Sequence, residues 1–175
     1  MRKIKLTQGK VALVDDADFE WLNKFNWCAM NNHGRGWYAV RSARDANGKR
    51  YGIYMHRQIA GARPGQRADH KDGNGLHNWQ ANLRICTRSQ NHANSQKQAG
   101  CSSQYKGVHW NKWHGKWQVQ IMVRGKALWL GYFDDELMAA RAYNKTAQEH
   151  FGEFARLNVV GKAQQIQAQE RRDGE

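Results

Sequence analysis

From Lys116 to Arg124 the chain alternates with a period of two. Trp117, Val119, Ile121 and Val123 fall on one side, and Lys116, Gln118, Gln120, Met122 and Arg124 on the other. Successive side chains of an extended strand point to opposite faces, so this run is expected to be a strand with one apolar and one polar face. Gly125-Lys126 turns the chain into a further strand, Leu128 to Leu130. Asp134 or Asp135 can then cap a helix on which Leu137, Ala140, Tyr143, Ala147 and Phe151 recur at helical spacing, and Gly152 marks its end. Ala139, Ala140, Ala142 and Ala147 are small enough to let that helix approach a sheet closely. One face of the sheet can pack and the other can bind.

What it can bind follows from charge. The chain of 175 residues carries a formal net charge of +13. From Gly73 to Phe133 there is no Asp or Glu, while the same stretch holds Arg84, Arg88, Lys97, Lys106, Lys112, Lys116, Arg124 and Lys126, together with Trp110, Trp113, Trp117 and Trp129. A merely solvated surface mixes signs; an acid-free basic stretch interleaved with tryptophan suits a phosphate backbone. Cys28, Cys86 and Cys101 are odd in number, widely spaced and without a C-x-x-C pair, which argues against a disulfide framework or zinc finger and for reduced thiols in a cytoplasm. No apolar run approaches the roughly 18 residues of a membrane span, and MRKIKLTQGK has no apolar stretch behind it that would make a signal peptide. No membrane and no disulfide-linked partner are expected.

Residues 1–55 read as short strands around one helix. Ile4 and Leu6 alternate, and Val11 to Val14 is a buried-strand candidate. Asp15 to Asp18 supply caps for a helix carrying Phe19, Leu22 and Phe25, and Tyr38–Arg41 and Tyr51–Tyr54 flank the turn Asp45-Ala46-Asn47-Gly48. Residues 54–96 are dense in groups that carry chemistry: Met55-His56-Arg57, Asp69-His70 before the turn Asp72-Gly73-Asn74-Gly75, Asn82-Leu83-Arg84, and Gln90 to Asn94. A neutral imidazole takes a proton from water near pH 7, and hard oxygen ligands hold Mg²⁺ or Mn²⁺. Asp69 beside His70 supplies both types of group on the first arm of a hairpin. Thr87 is placed to cap a helix through Asn91 and Asn94, from which Asn91 can offer its amide oxygen to the same ion.

The order of these residues resembles the HNH nuclease motif, in which a ββα hairpin-helix unit binds one divalent cation. The resemblance implies His70 as general base, Asp69 and Asn91 as metal ligands, and Asn82 as the middle asparagine that braces the hairpin loop of the catalytic unit. This asparagine-ligand form is similar to homing endonucleases of phage introns, which implies a mobile-element origin and a bacterial host cytoplasm. His56 reads as structural or substrate-facing, and His33, His77, His109, His114 and His150, taken singly, as surface or hydrogen-bonded residues. The segment from Tyr105 to Asn158 in turn resembles the DNA-binding domain of plant ethylene-response (Apetala-type) factors, whose three-stranded sheet enters the major groove. Carried over by position, the groove-facing residues are Lys106, His109, Asn111, Trp113, Gln118, Gln120, Met122 and Trp129, with Lys116 and Arg124 on the same polar face and Trp117 in the core. The arginines usual at His109, Asn111 and Met122 are absent and Gln120 replaces an acid, so the DNA sequence read must differ from that of the plant factors.

The expectation is an α+β chain: residues 1–96 a scaffold plus a ββα-metal HNH unit (motif core 54–96), 97–104 a linker, 105–158 a three-stranded antiparallel sheet packed on one helix, and 159–175 a polar tail. As function it gives a monomeric, Mg²⁺- or Mn²⁺-dependent endonuclease acting on double-stranded DNA. The alternative is a catalytically inactive, sequence-specific DNA-binding regulator, and a third possibility is an RNA-binding protein that stacks bases on its aromatic face.

Overall fold

The computed structural model describes residues 1–32 and 36–161; His33 and positions 162–175 of the expected polar tail lie outside the described residues. The chain divides into two compact units, Met1–Asn91 and His92–Glu175.

In the first unit β1 (Arg2–Lys5) pairs antiparallel with β2 (Val11–Val14), which places Ile4 opposite Ala12. The helix α1 (Asp16–Leu22) begins with Asp16 and Asp18 in its first turn, where negative charge complements the helix dipole. It stops short of Phe25. The Trp27 indole donates to the Leu22 carbonyl at 2.9 Å, and Phe25 meets the Trp27 ring edge-on instead of extending the helical face. A three-stranded antiparallel sheet follows, in the order β3 (Cys28–Asn31), β4 (Trp37–Arg44), β5 (Arg50–Tyr54). Asp45 closes its second hairpin by accepting from the backbone N–H groups of Asn47 and Lys49. β5 leads directly into the short helix α2 (Met55–Ile59), too brief to show an apolar period in sequence. Then β6 (Arg67–His70) pairs antiparallel with β7 (Leu83–Cys86), ahead of α3 (Arg88–Ala93). The core joins Ile4, Ala12, Val14, Leu22, Trp27, Met55, Ile59 and Leu83. Full burial of an aliphatic or aromatic side chain of this size contributes about 1.5–3 kcal/mol.

In the second unit β8 (Val108–Asn111), β9 (Lys116–Val123) and β10 (Lys126–Phe133) form an antiparallel sheet with β9 in the middle. The helix α4 (Glu136–Phe151) is capped by Asp135, whose carboxylate accepts from the Met138 N–H at 2.7 Å. Val108, Val119 and Ile121 pack against Ala139, Ala140, Tyr143 and Ala147 of that helix. The segment expected as a linker, 97–104, lies in this unit and is tied to it. The Ser103 hydroxyl donates to Glu136 Oε1 at 2.6 Å, and the Gln104 N–H donates to the same oxygen. Asn158 grips the start of the sheet, its Oδ1 accepting from the Lys106 N–H and its Nδ2 donating to the Lys106 carbonyl, while Asn144 holds the Asn158 backbone. Among the described residues no helix is long and apolar enough to cross a membrane, and the three cysteines are free.

Two positions test this packing. Gly107 has φ of +77°, and a Cβ there would stand 2.2 Å from the Tyr143 ring. Gly107→Ala is expected to cost about 2 kcal/mol or more through combined backbone strain and overpacking, read as a lower melting temperature; an unchanged melting curve would contradict the close approach. His56 is 7% exposed, with its ring centroid 4.8 Å from that of His70 and 5.5 Å from that of Tyr38, and its Nδ1 has no hydrogen-bond partner. Burial, then repulsion from His70 and Arg57, pushes its pKa from 6.5 down to about 3. The unfolded chain therefore binds this proton first. The contribution of the neutral imidazole is complete above 6.5 and is lost as pH falls toward 3, roughly 3 kcal/mol of it by about pH 4. Urea midpoints at neutral and acidic pH should fall steeply in the native chain and less steeply in His56→Phe; an equal fall in both would contradict this assignment.

Candidate nucleic-acid interface

The register of the second sheet decides which side chains share its uncovered face. Val108 sits opposite Val119 and Trp110 opposite Trp117 on the side that faces α4. His109 opposite Gln118, and Asn111 opposite Lys116, therefore fall on the outer side. Across the other pairing Trp129 faces Gln120 and Ala127 faces Met122, again outside. A bulge at Leu130 then breaks the alternation: Trp129 pairs with Gln120 but Gly131 pairs with Val119 and Tyr132 with Gln118. The extra residue, Leu130, packs on the core, and Tyr132 is brought to the same face as Trp129.

The result is an aromatic row on the outer face. The Trp129 and Tyr132 rings meet edge to face at 5.5 Å, and Tyr132 stacks on His114 at 4.3 Å with an interplanar angle of 22°. Trp129 is 57% exposed and Trp113, in the β8–β9 loop, 96% exposed. Exposed tryptophan on a sheet face, beside Gln118, Gln120 and an exposed Met122, is a surface without a partner inside the chain. The same face carries basic groups at its margins. Arg124 is exposed in the tight β9–β10 turn with φ of +49°, and Lys116 makes a surface ion pair with Asp134 at 3.0 Å. No Asp or Glu occurs in the sheet before Asp134. The charged side chains of the sheet itself are all basic, which favours a polyanion.

Two of the residues expected to face a ligand are engaged inside the chain. The Asn111 Oδ1 accepts from the backbone N–H groups of Trp113 and His114, and its Nδ2 donates to Gln118 Oε1 at 2.9 Å. It builds the β8–β9 loop and presents Trp113, rather than offering its own amide to a base. The Lys106 ammonium donates to the carbonyls of His92, Ala93 and Ser95, the last at 2.8 Å. Burial, helped by Arg156, pushes its pKa down to about 8, and these carbonyls satisfy the charged form. Lys106 is thus a clamp on the last residues of α3 and the segment that follows, not a cation presented on the open sheet. His109 stands beside Gln118 on the outer face, and Trp117 packs against the core. Tyr132 and His114 were missed in sequence. A period-two reading puts residues 129 and 132 on opposite faces, and only the bulge unites them; the ring-on-ring contact of His114 has no sequence signal.

The residues read as catalytic and metal-binding lie in the first unit. Asp69 and His70 end β6 at 7% and 4% exposure, and Asp69 pairs in register with Arg84, whose guanidinium reaches Asp69 Oδ2 at 3.1 Å. His70 Nε2 meets the Oδ1 of fully buried Asn78 at 3.2 Å. An amide oxygen only accepts, so Nε2 carries the proton, and burial lowers the pKa of the ring. Asn82 ties the intervening loop: its Oδ1 accepts from the Asp72 N–H, and its Nδ2 donates to Asp72 Oδ1 and to the His77 carbonyl. His77 Nδ1 approaches the other Asp72 oxygen at 2.6 Å. Asn91 follows a capping box in which Thr87 and Gln90 bond each other's backbone N–H groups. A resident Mg²⁺ or Mn²⁺ fits this set poorly. Its one carboxylate, Asp69, already neutralises Arg84, and among the described residues no group of three His, Cys, Asp or Glu is brought together.

Comparison with known proteins bears on the second unit. Residues 103–153 match the AP2 domain family. The chain is 45% identical over 58 residues to "Dehydration-responsive element-binding protein 2A" of Oryza sativa subsp. indica, a stretch that covers 32% of this chain and 21% of that protein. It is 45% identical over 63 residues to "Dehydration-responsive element-binding protein 2D" of Arabidopsis thaliana, covering 35% and 29%. To "AP2-like ethylene-responsive transcription factor TOE2" of the same plant it is 42% identical over 59 residues, covering 34% and 12%. The match therefore spans less than a third of each of these relatives, and residues 1–102 lie outside the AP2 match. Two expectations are corrected by these findings. The HNH endonuclease activity is overturned, because the relatives are named as element-binding proteins and a transcription factor, not as nucleases. The bacterial host cytoplasm is overturned, because they are proteins of rice and Arabidopsis. What the comparisons identify is a segment, residues 103–153, similar to the AP2 DNA-binding domain.

Proposed function

We propose that this protein is a sequence-specific DNA-binding regulator whose outer face on β8–β10 lies in the major groove of a duplex. The single observation that carries the reading is the acid-free outer face on which Gln118, Gln120, Trp129 and Tyr132 stand together, in the segment similar to the AP2 domain. A twisted antiparallel sheet of this width fits the major groove, and glutamine pairs with the N6 and N7 edge of adenine. Trp129 and Trp113 add large, stiff apolar surfaces for thymine methyl groups and sugars. Lys112, Lys116, Arg124 and Lys126 supply phosphate contacts that set register without carrying sequence information. The relatives' names, element-binding protein and transcription factor, agree with control of nearby DNA rather than its hydrolysis.

Selection from a random-sequence duplex pool should enrich one short motif. On that motif Gln120→Ala should relax preference at a single base pair, at a cost of about 1–3 kcal/mol of discrimination. Trp129→Ala should raise Kd about tenfold or more. No enrichment, or equal affinity for single-stranded RNA at matched salt, would sink the reading.

A further inference from the structure

The outer face of the second sheet does not stop at its strand edge. A cavity of about 500 Å³ opens beside β8, walled on one side by Ser95 to Gln98 and on the other by His109, Gln120 and Met122. The latter three are outer-face residues, so the mouth of the cavity meets the proposed reading face, while Val108, Ile121, Tyr143 and Phe151 line its inner end. Its backbone wall is held in place: the Lys106 ammonium fixes the carbonyls of His92, Ala93 and Ser95, and the Arg156 N–H donates to the Ala93 carbonyl. With Lys106 engaged in that clamp, Lys97 is the half-exposed cation of this wall, its ammonium resting on the Gln98 carbonyl at 3.0 Å. None of the residues lining the cavity is acidic.

We propose that the segment Ser95–Gln98 is a second wall of the DNA-binding surface, and that one sugar–phosphate strand of the bound duplex runs along it with Lys97 on a phosphate. The inference rests on the proposed DNA-binding reading. It adds an element that no strand alternation reveals, and it gives the Lys106 clamp a purpose. A wall preformed by several hydrogen bonds, two of them partly buried, loses little entropy on binding, so its lysine contributes more than an equally charged side chain on a free tail. A phosphate contact of this kind acts through counterion release: it strengthens binding to all sequences alike and steepens the salt dependence.

The test is the salt dependence of Kd for the full chain on a mixed-sequence duplex oligonucleotide and on the selected motif. Lys97→Ala should weaken both by a similar factor and reduce the slope of log Kd against log salt by about 0.9, the value for one phosphate contact. Lys145→Ala, an exposed lysine on the helix behind the sheet, should leave the slope unchanged. Lys106→Met, which frees the wall, should reproduce the Lys97→Ala effect in a chain whose melting confirms that it is folded. If Lys97→Ala leaves slope and Kd at native values while Trp129→Ala still weakens binding, the second wall is wrong and the reading face stands. If the native chain binds neither duplex, both fall together.

Discussion

A three-stranded sheet packed on one helix has one dry face, and everything in the second unit follows from which face that is. Val108, Val119 and Ile121 are buried because Ala139, Ala140 and Ala147 let α4 come close, and the approach is tight enough that Gly107 must lack a side chain opposite Tyr143. Once those alternate residues are committed to the core, the pleat sends Gln118, Gln120 and Met122 to the other side. No second layer covers them among the described residues of this unit. Aromatic rings and amides gather where solvent would otherwise favour charge of both signs, and the charge that is present has one sign.

Much of this unit is legible in the sequence because a strand with one buried face writes a period of two that few other structures produce. Trp117 to Val123 gave the packed face, and the alanine-rich run after Asp135 gave the helix. What is not legible is any departure from the period. The bulge at Leu130 moves Tyr132 across the sheet, and nothing in Trp129-Leu130-Gly131-Tyr132 except the glycine signals it. Nor does a residue type reveal where its polar atoms are used. Asn111 and Lys106 have the chemistry of DNA contacts, but hydrogen bonds to backbone groups, which pattern reading cannot see, direct one to a loop and the other to a clamp.

In the first unit, too, polar side chains are used where pattern alone does not show it. Asp69, His70, Asn82 and Asn91 invite a chemical reading because acid, imidazole and amide in that order are the tools of phosphodiester hydrolysis. In the fold the cross-strand partner of Asp69 is Arg84, Asn78 fixes the His70 ring, and Asn82 knits the loop through Asp72 and His77. Buried polar groups must be paired, and a compact hairpin satisfies them with one another. The helix start at Thr87 was readable because a capping box is local in sequence; the ion pair between β6 and β7 was not, because it depends on strand register. The similarity to AP2 proteins falls on the second unit and does not extend to these residues.

The outer face of β8–β10 is the surface expected to touch DNA. Photocrosslinking of the full chain to a duplex bearing its selected motif, with the crosslinked peptides identified by mass spectrometry, tests it most directly. Adducts are expected in the peptides that carry Trp113, Trp129 and Tyr132. Crosslinks confined to residues 1–91, with the sheet peptides unmodified in the same complex, would contradict it.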